Sequence, residues 1–256
     1  KCVNGRASMK RQKPIKSLLN SAVAIVGLGN SWYEFNIAKT HGVNFDEVWA
    51  INAVGSVIFH DRLFMMDPAS RFLDTTDAAG QTDCMRKMLV EHKGPIYTCE
   101  LDERCPGLVE YPVAEVVQDT QSWYLNNTVA YAVAFAYWND VRKISLFGVD
   151  FTYKSNPGYA EAGRGCVEFW LAKCLDKGIQ VDVAQSSSLL DANIPSEDKL
   201  YGYHRLEDPM VIGLDSHGNP HVKKVSEVEM PETKKEGGLL DRYDSHKKGP
   251  PEPNKY

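Results

Sequence analysis

The run Ala22-Val23-Ala24-Ile25-Val26-Gly27-Leu28-Gly29-Asn30-Ser31 decides the fold. Five consecutive small or β-branched apolar residues ended by glycine read as a strand buried on both faces, as in a parallel sheet. The Gly-x-Gly-Asn-Ser turn then predicts a short helix over residues 32–40, N-capped by Ser31 or Asn30. Lacking Cβ atoms, Gly27 and Gly29 would let backbone N–H groups approach an anion, and the helix N-terminus would favour negative charge there. The dinucleotide fingerprint is incomplete: Tyr33 and Glu34 stand where a third glycine would be, and the second strand ends in Asn52 rather than an acid. A nicotinamide or flavin cofactor is therefore not expected.

Working outward, residues 48–52 and 62–66 read as strands, the second stopped by Asp67-Pro68. Residues 77–91 read as a helix and 95–98 as a short strand. The stretch 99–121 is irregular, with a strand candidate at 113–117. Residues 128–138 form a mostly apolar helix capped by Asn126 or Asn127, running into a strand at 143–148. An amphipathic helix at 161–177 carries Val167, Trp170, Leu171 and Cys174 on one face, and a last core strand follows at 179–183. Strands alternating with helices predict an α/β fold: a single Rossmann-like domain with a mostly parallel sheet. The expected organisation is an unstructured or vector-derived N-terminus at 1–16, a nucleotide-binding catalytic domain at 17–204, and an extended tail at 205–256, with 210–213 adding one edge strand. Met9 reads as a natural start, and the Lys10–Lys16 cluster as a solvated tail.

The 256 residues carry a formal charge of −5, with 43% hydrophobic and 25% charged residues, so bulk charge gives no reason to bind nucleic acid. The six cysteines include no C-x-x-C pair and no histidine at metal-finger spacing, which points away from structural zinc or a disulfide framework. No run of 18 apolar residues exists, so no membrane span is expected, and a cytoplasmic location follows as the expectation.

Chemistry gathers at strand ends. Asn52 and Asp67-Pro68-Ala69-Ser70 fall just past two strands, where open parallel sheets bind ligands. Asn52 could both donate to and accept from a base or ribose edge; a loop-capping role is the plainer alternative. Gly148-Val149-Asp150-Phe151-Thr152-Tyr153, with Tyr159 six residues on and a loop at 154–158, could form a catalytic wall. Phenols donate hydrogen bonds to a leaving phosphate without a metal. The plainer alternative is a turn with two surface tyrosines.

These motifs, in order, resemble the bacterial sialyltransferases of glycosyltransferase family 42 and the related domain of unknown function 115. The matching stretches are Ile25–Ser31, Trp49-Ala50-Ile51-Asn52, Asp67-Pro68-Ala69-Ser70, Asn127–Ala134, Lys143–Phe151, Val167-Glu168-Phe169-Trp170 and Ser186–Leu190. The resemblance implies a GT-A-like variant of the Rossmann-like fold and metal-independent sugar transfer from a nucleotide donor, with no further cofactor. It implies that Gly27, Gly29, Asn30, Ser31 and Asn52 hold the nucleotide together with Asp67 and Gly148, with Thr128 near its phosphate or ribose. Tyr153 and Tyr159 would stabilise the departing phosphate. The family's histidine after these tyrosines has no counterpart in residues 160–166, which leaves Asp150, Glu161 or Glu168 as general base and argues against sialic acid. The expected acceptors are a glycan, a protein or a hydroxymethylated base of phage DNA, with homo-oligomerisation open. Two other readings stand beside this one: a Mg²⁺-dependent pyrophosphokinase using Asp67 and Asp150, and a non-catalytic nucleotide-binding partner protein.

Overall fold

The computed structural model describes residues 11–75, 82–152, 156–200, 210–215, 217–224 and 227. Chain contacts divide it into two units, residues 1–195 and 196–256. The first is a three-layer α/β structure around a seven-stranded, all-parallel sheet: β1 (Ala22–Val26), β2 (Glu47–Ile51), β3 (Arg62–Phe64), β4 (Ile96–Thr98), β5 (Leu108–Glu110), β6 (Lys143–Phe147) and β7 (Gln180–Val183). Their order is β5-β4-β3-β2-β1-β6-β7. β1 is central and buried along its whole length, as its unbroken apolar run requires.

The side chains of β1 alternate between two cores. Val23 and Ile25 face α4 (Val113–Thr120), α5 (Thr128–Trp138) and α6 (Pro157–Asp176). Ala24 and Val26 face α1 (Tyr33–Thr40), α2 (Ser70–Leu73) and α3 (Thr82–Glu91). In the first core Trp49, Phe64 and Tyr97, on adjacent strands, surround Phe135 of α5 with ring centroids 4.7–5.7 Å away. α5 is apolar almost all round because it lies between the sheet and two helices. No helix among the described residues is long and apolar enough to cross a membrane.

Several expectations are corrected. Residues 113–117 belong to helix α4, not a strand: Val113, Val116 and Val117 fit the i, i+3, i+4 pattern as well as an apolar run. β5, inside the stretch taken as irregular, pairs with β4 and forms one edge of the sheet. α6 begins at Pro157, four residues early, because Asn156 caps it by accepting the Tyr159 N–H (3.2 Å) with proline at its start. β7 is the other edge strand and is half exposed. Residues 11–16 are not a free tail: the Ile15 N–H donates to Asn139 Oδ1 (2.6 Å), the Gln12 N–H donates to Glu115 Oε1 (3.0 Å), and Arg11 pairs with Asp119. In the second unit β8 (Met210–Leu214) pairs antiparallel with β9 (Pro220–Lys224) rather than joining the main sheet. Residues 1–10 and most of the expected tail lie outside the described residues.

Candidate nucleotide site

Strand order reverses at β1, with β2 on one side and β6, reached from the far edge, on the other. Crevices at the carboxyl ends of strands open at such switch points. The loops after β1 and β6 meet there, closer than side chains would permit. A Cβ on Gly27 would lie 2.5 Å from the Gly148 carbonyl oxygen, and one on Gly148 2.1 Å from that of Gly27. Gly148 also has a φ of +64°, where a Cβ is disfavoured.

This contact corrects the reading of the glycine turn as an anion cradle. The Gly29 N–H donates to the Gly148 carbonyl (2.8 Å), and the Ser31 N–H donates to Asp150 Oδ2 (2.7 Å). Ser31 Oγ donates to Asp150 Oδ1 and accepts from the Gly148 N–H (2.9 Å). Ser31 is fully buried and Asp150 is 4% exposed. The negative charge expected at this helix start is therefore the chain's own carboxylate. Ser31 has no donor left for a nucleotide, and each Asp150 oxygen already accepts a hydrogen bond from Ser31. Asn30 is exposed and outside the cavity lining.

A cavity of about 740 Å³ nevertheless opens at the switch point. Of the expected site residues it gathers Gly27, Gly29, Asn52, Asp67, Thr128, Gly148, Asp150 and Tyr159. Glu161 lines a separate depression, and Tyr153 lies outside the described residues. Glu168 is structural: it takes the Arg164 Nε–H (2.7 Å) and caps the Leu190 N–H (2.8 Å).

Asn52 stands just past β2 with φ +52°, and its Oδ1 is buried without a partner. A stranded acceptor of this kind costs about 1–3 kcal/mol, which a ligand donor would recover. Asn127, which also lines the cavity, caps α5 by accepting the Ala130 N–H (3.0 Å), and its Nδ2 donates to the Gly163 carbonyl (3.1 Å). The first-turn N–H groups of Thr128 and Val129, both lining the cavity, have no acceptor among the described residues. They form the anion-favouring end of an eleven-residue helix.

Among the described lining residues there is no Lys, Arg or His. The two carboxylates are compensated, Asp67 by Arg71 and Asp150 by Ser31. Sequence reasoning missed Tyr131 and Gly163 in the wall and read Asn126 only as a candidate helix cap. Tyr131 was legible only as a phenol three residues after Thr128 in a mostly apolar helix. Burial pushes its hydroxyl above the usual phenol range, so it remains a proton donor.

No protein-family model matches the chain, and no curated protein matches it either.

Proposed function

We propose that this chain is a nucleotide-sugar-dependent glycosyltransferase that needs no metal, as its motif resemblance to glycosyltransferase family 42 implies. The carrying observation is that Asn52 Oδ1, buried without a partner, and the first-turn amides of Thr128 and Val129, without an acceptor among the described residues, line one cavity at the sheet's switch point. A nucleoside offers the hydrogen-bond donor Asn52 lacks. Its phosphate offers the anion that the Thr128 and Val129 amides lack.

In the reaction, an acceptor hydroxyl attacks the anomeric carbon and the bond from that carbon to the phosphate oxygen breaks. The departing charge falls to the α5 amides and to the phenols of Tyr131 and Tyr159. The hydroxyl proton passes to a carboxylate. With Asp150 committed to Ser31, this reading assigns the proton to Asp67, held by Arg71 at the cavity wall.

A thermal-shift screen with CMP, UDP, GDP and ADP tests the binding step. The right nucleotide at a hundred times its Kd adds about 2.7 kcal/mol of stability. Asn52→Ala should weaken that nucleotide by about tenfold or more, the loss of one buried hydrogen bond. No stabilisation by any nucleotide at millimolar concentration, or an unchanged response in Asn52→Ala, overturns the reading. Donor turnover that persists in EDTA distinguishes it from Mg²⁺-dependent pyrophosphate transfer.

A further inference from the structure

Beside the main cavity lies a second, wide-open depression of about 570 Å³. Phe151 and Thr152 are the residues common to both linings. The first turns of α6 form the ridge between them: Tyr159 and Gly163 look into the main cavity, Pro157, Glu161 and Arg164 into the second.

Phe151 is held in an unusual way. Its φ is +50°, a left-handed conformation costly for a bulky residue. Its ring rests in a notch on α6 that exists because residue 163 is glycine; a Cβ there would lie 2.7 Å from Phe151 Cε1. The backbone leading to it is pinned, since Ser187 Oγ donates to the Val149 carbonyl (2.8 Å) and Ser188 Oγ to that of Asp150. A strained aromatic residue fixed on the wall between two cavities marks a functional boundary.

The charge around the second depression selects its occupant. Arg164 is already paired with Glu168 and Asp191, each at 2.7 Å. Among the described residues, with exposed Glu161 added, one guanidinium stands with three carboxylates. That field repels phosphates and nucleic acid. An aromatic ring, a proline and a carboxylate that accepts from hydroxyls suit a neutral polyol.

We propose that this depression is a subsite for a neutral, polyhydroxylated molecule, the sugar end of a glycan, and that Phe151 is the partition between it and the main cavity. Its role as acceptor site rests on the glycosyl-transfer reading, whereas sugar binding itself does not. The test is saturation-transfer NMR with lactose on the full chain without nucleotide. Lactose should give saturable signals at millimolar concentration, and Glu161→Ala should weaken binding about tenfold or more, with melting unchanged because the residue is exposed. Phe151→Ala should weaken it as well, and a short DNA duplex should not displace lactose. Absence of lactose binding, wild-type binding in Glu161→Ala, or displacement by the duplex overturns the proposal. Nucleotide stabilisation, measured without lactose, reports separately on the main cavity.

Discussion

Gly29 and Gly165 show why one residue type has opposite meanings at two positions. A Cβ on Gly29 would lie 2.6 Å from Asp150 Oδ2 and 2.8 Å from the Gly148 carbonyl oxygen, whereas one on Gly165 meets nothing within 4 Å. Gly29→Ala should cost about 1–3 kcal/mol by pushing the two loops apart. Gly165→Ala, inside α6, should gain up to about 1 kcal/mol because alanine loses less backbone freedom on folding. Urea unfolding of both variants checks the contrast, and equal effects would contradict this account of the Gly29 contact. Cysteine follows the same local logic. Burial pushes the Cys174 thiol up to about 12, so it behaves as a small apolar core group, as its place on the α6 face predicted.

Elements are joined by a few polar contacts whose loss can be measured. Asn127 both caps α5 and ties it to α6 through Gly163, so Asn127→Ala should cost about 1–2 kcal/mol in chemical denaturation. At the α3–β4 turn, His60 and His92 meet through their Nε2 atoms at 2.8 Å, with the rings only 17° from coplanar. The Gly94 N–H donates to His92 Nδ1 (2.8 Å), so the His92 proton lies on Nε2 and points at His60. His60 Nδ1 donates to the Ile58 carbonyl (3.0 Å). This arrangement is satisfied only when both rings are neutral. Burial, reinforced by His60, holds His92 below the usual histidine value of 6.5. A lowered folded-state pKa means the unfolded chain takes up the proton first. The contribution is complete above about pH 6.5 and is lost as pH falls below it. The urea midpoint should therefore drop between pH 7 and pH 5, and less so in His92→Gln; a flat wild-type profile would exclude the effect.

On the scale of the whole molecule, the parallel sheet buries both of its faces, and its centre is an aromatic cluster spanning three strands and α5. Phe135 is 1% exposed and packs against Trp49, Phe64, Tyr97 and Tyr111. Phe135→Ala should cost about 3–5 kcal/mol in equilibrium unfolding. A loss below about 1 kcal/mol would mean that the core can collapse around the missing ring. The α5 end that borders the cavity shares this core, so the site is set on a rigid helix.

By itself the sequence determined the α/β class, the central strand and the helices at 32–40, 128–138 and 161–177, because apolar periodicity and glycine punctuation are local signals. It also placed Asn52, Asp67 and Thr128 at strand or helix ends and Tyr159 just past the loop at 154–158, and these do line one cavity. Where α4 replaced a strand, eight residues were too few for periodicity to choose. Only the tertiary structure decided which groups meet. The carboxylate that fills the α1 start lies 119 residues from Ser31, and the glycine that seats Phe151 is on another element. Hydrogen bonds and steric notches across such separations depend on strand order and loop approach, and no pattern along the chain encodes them.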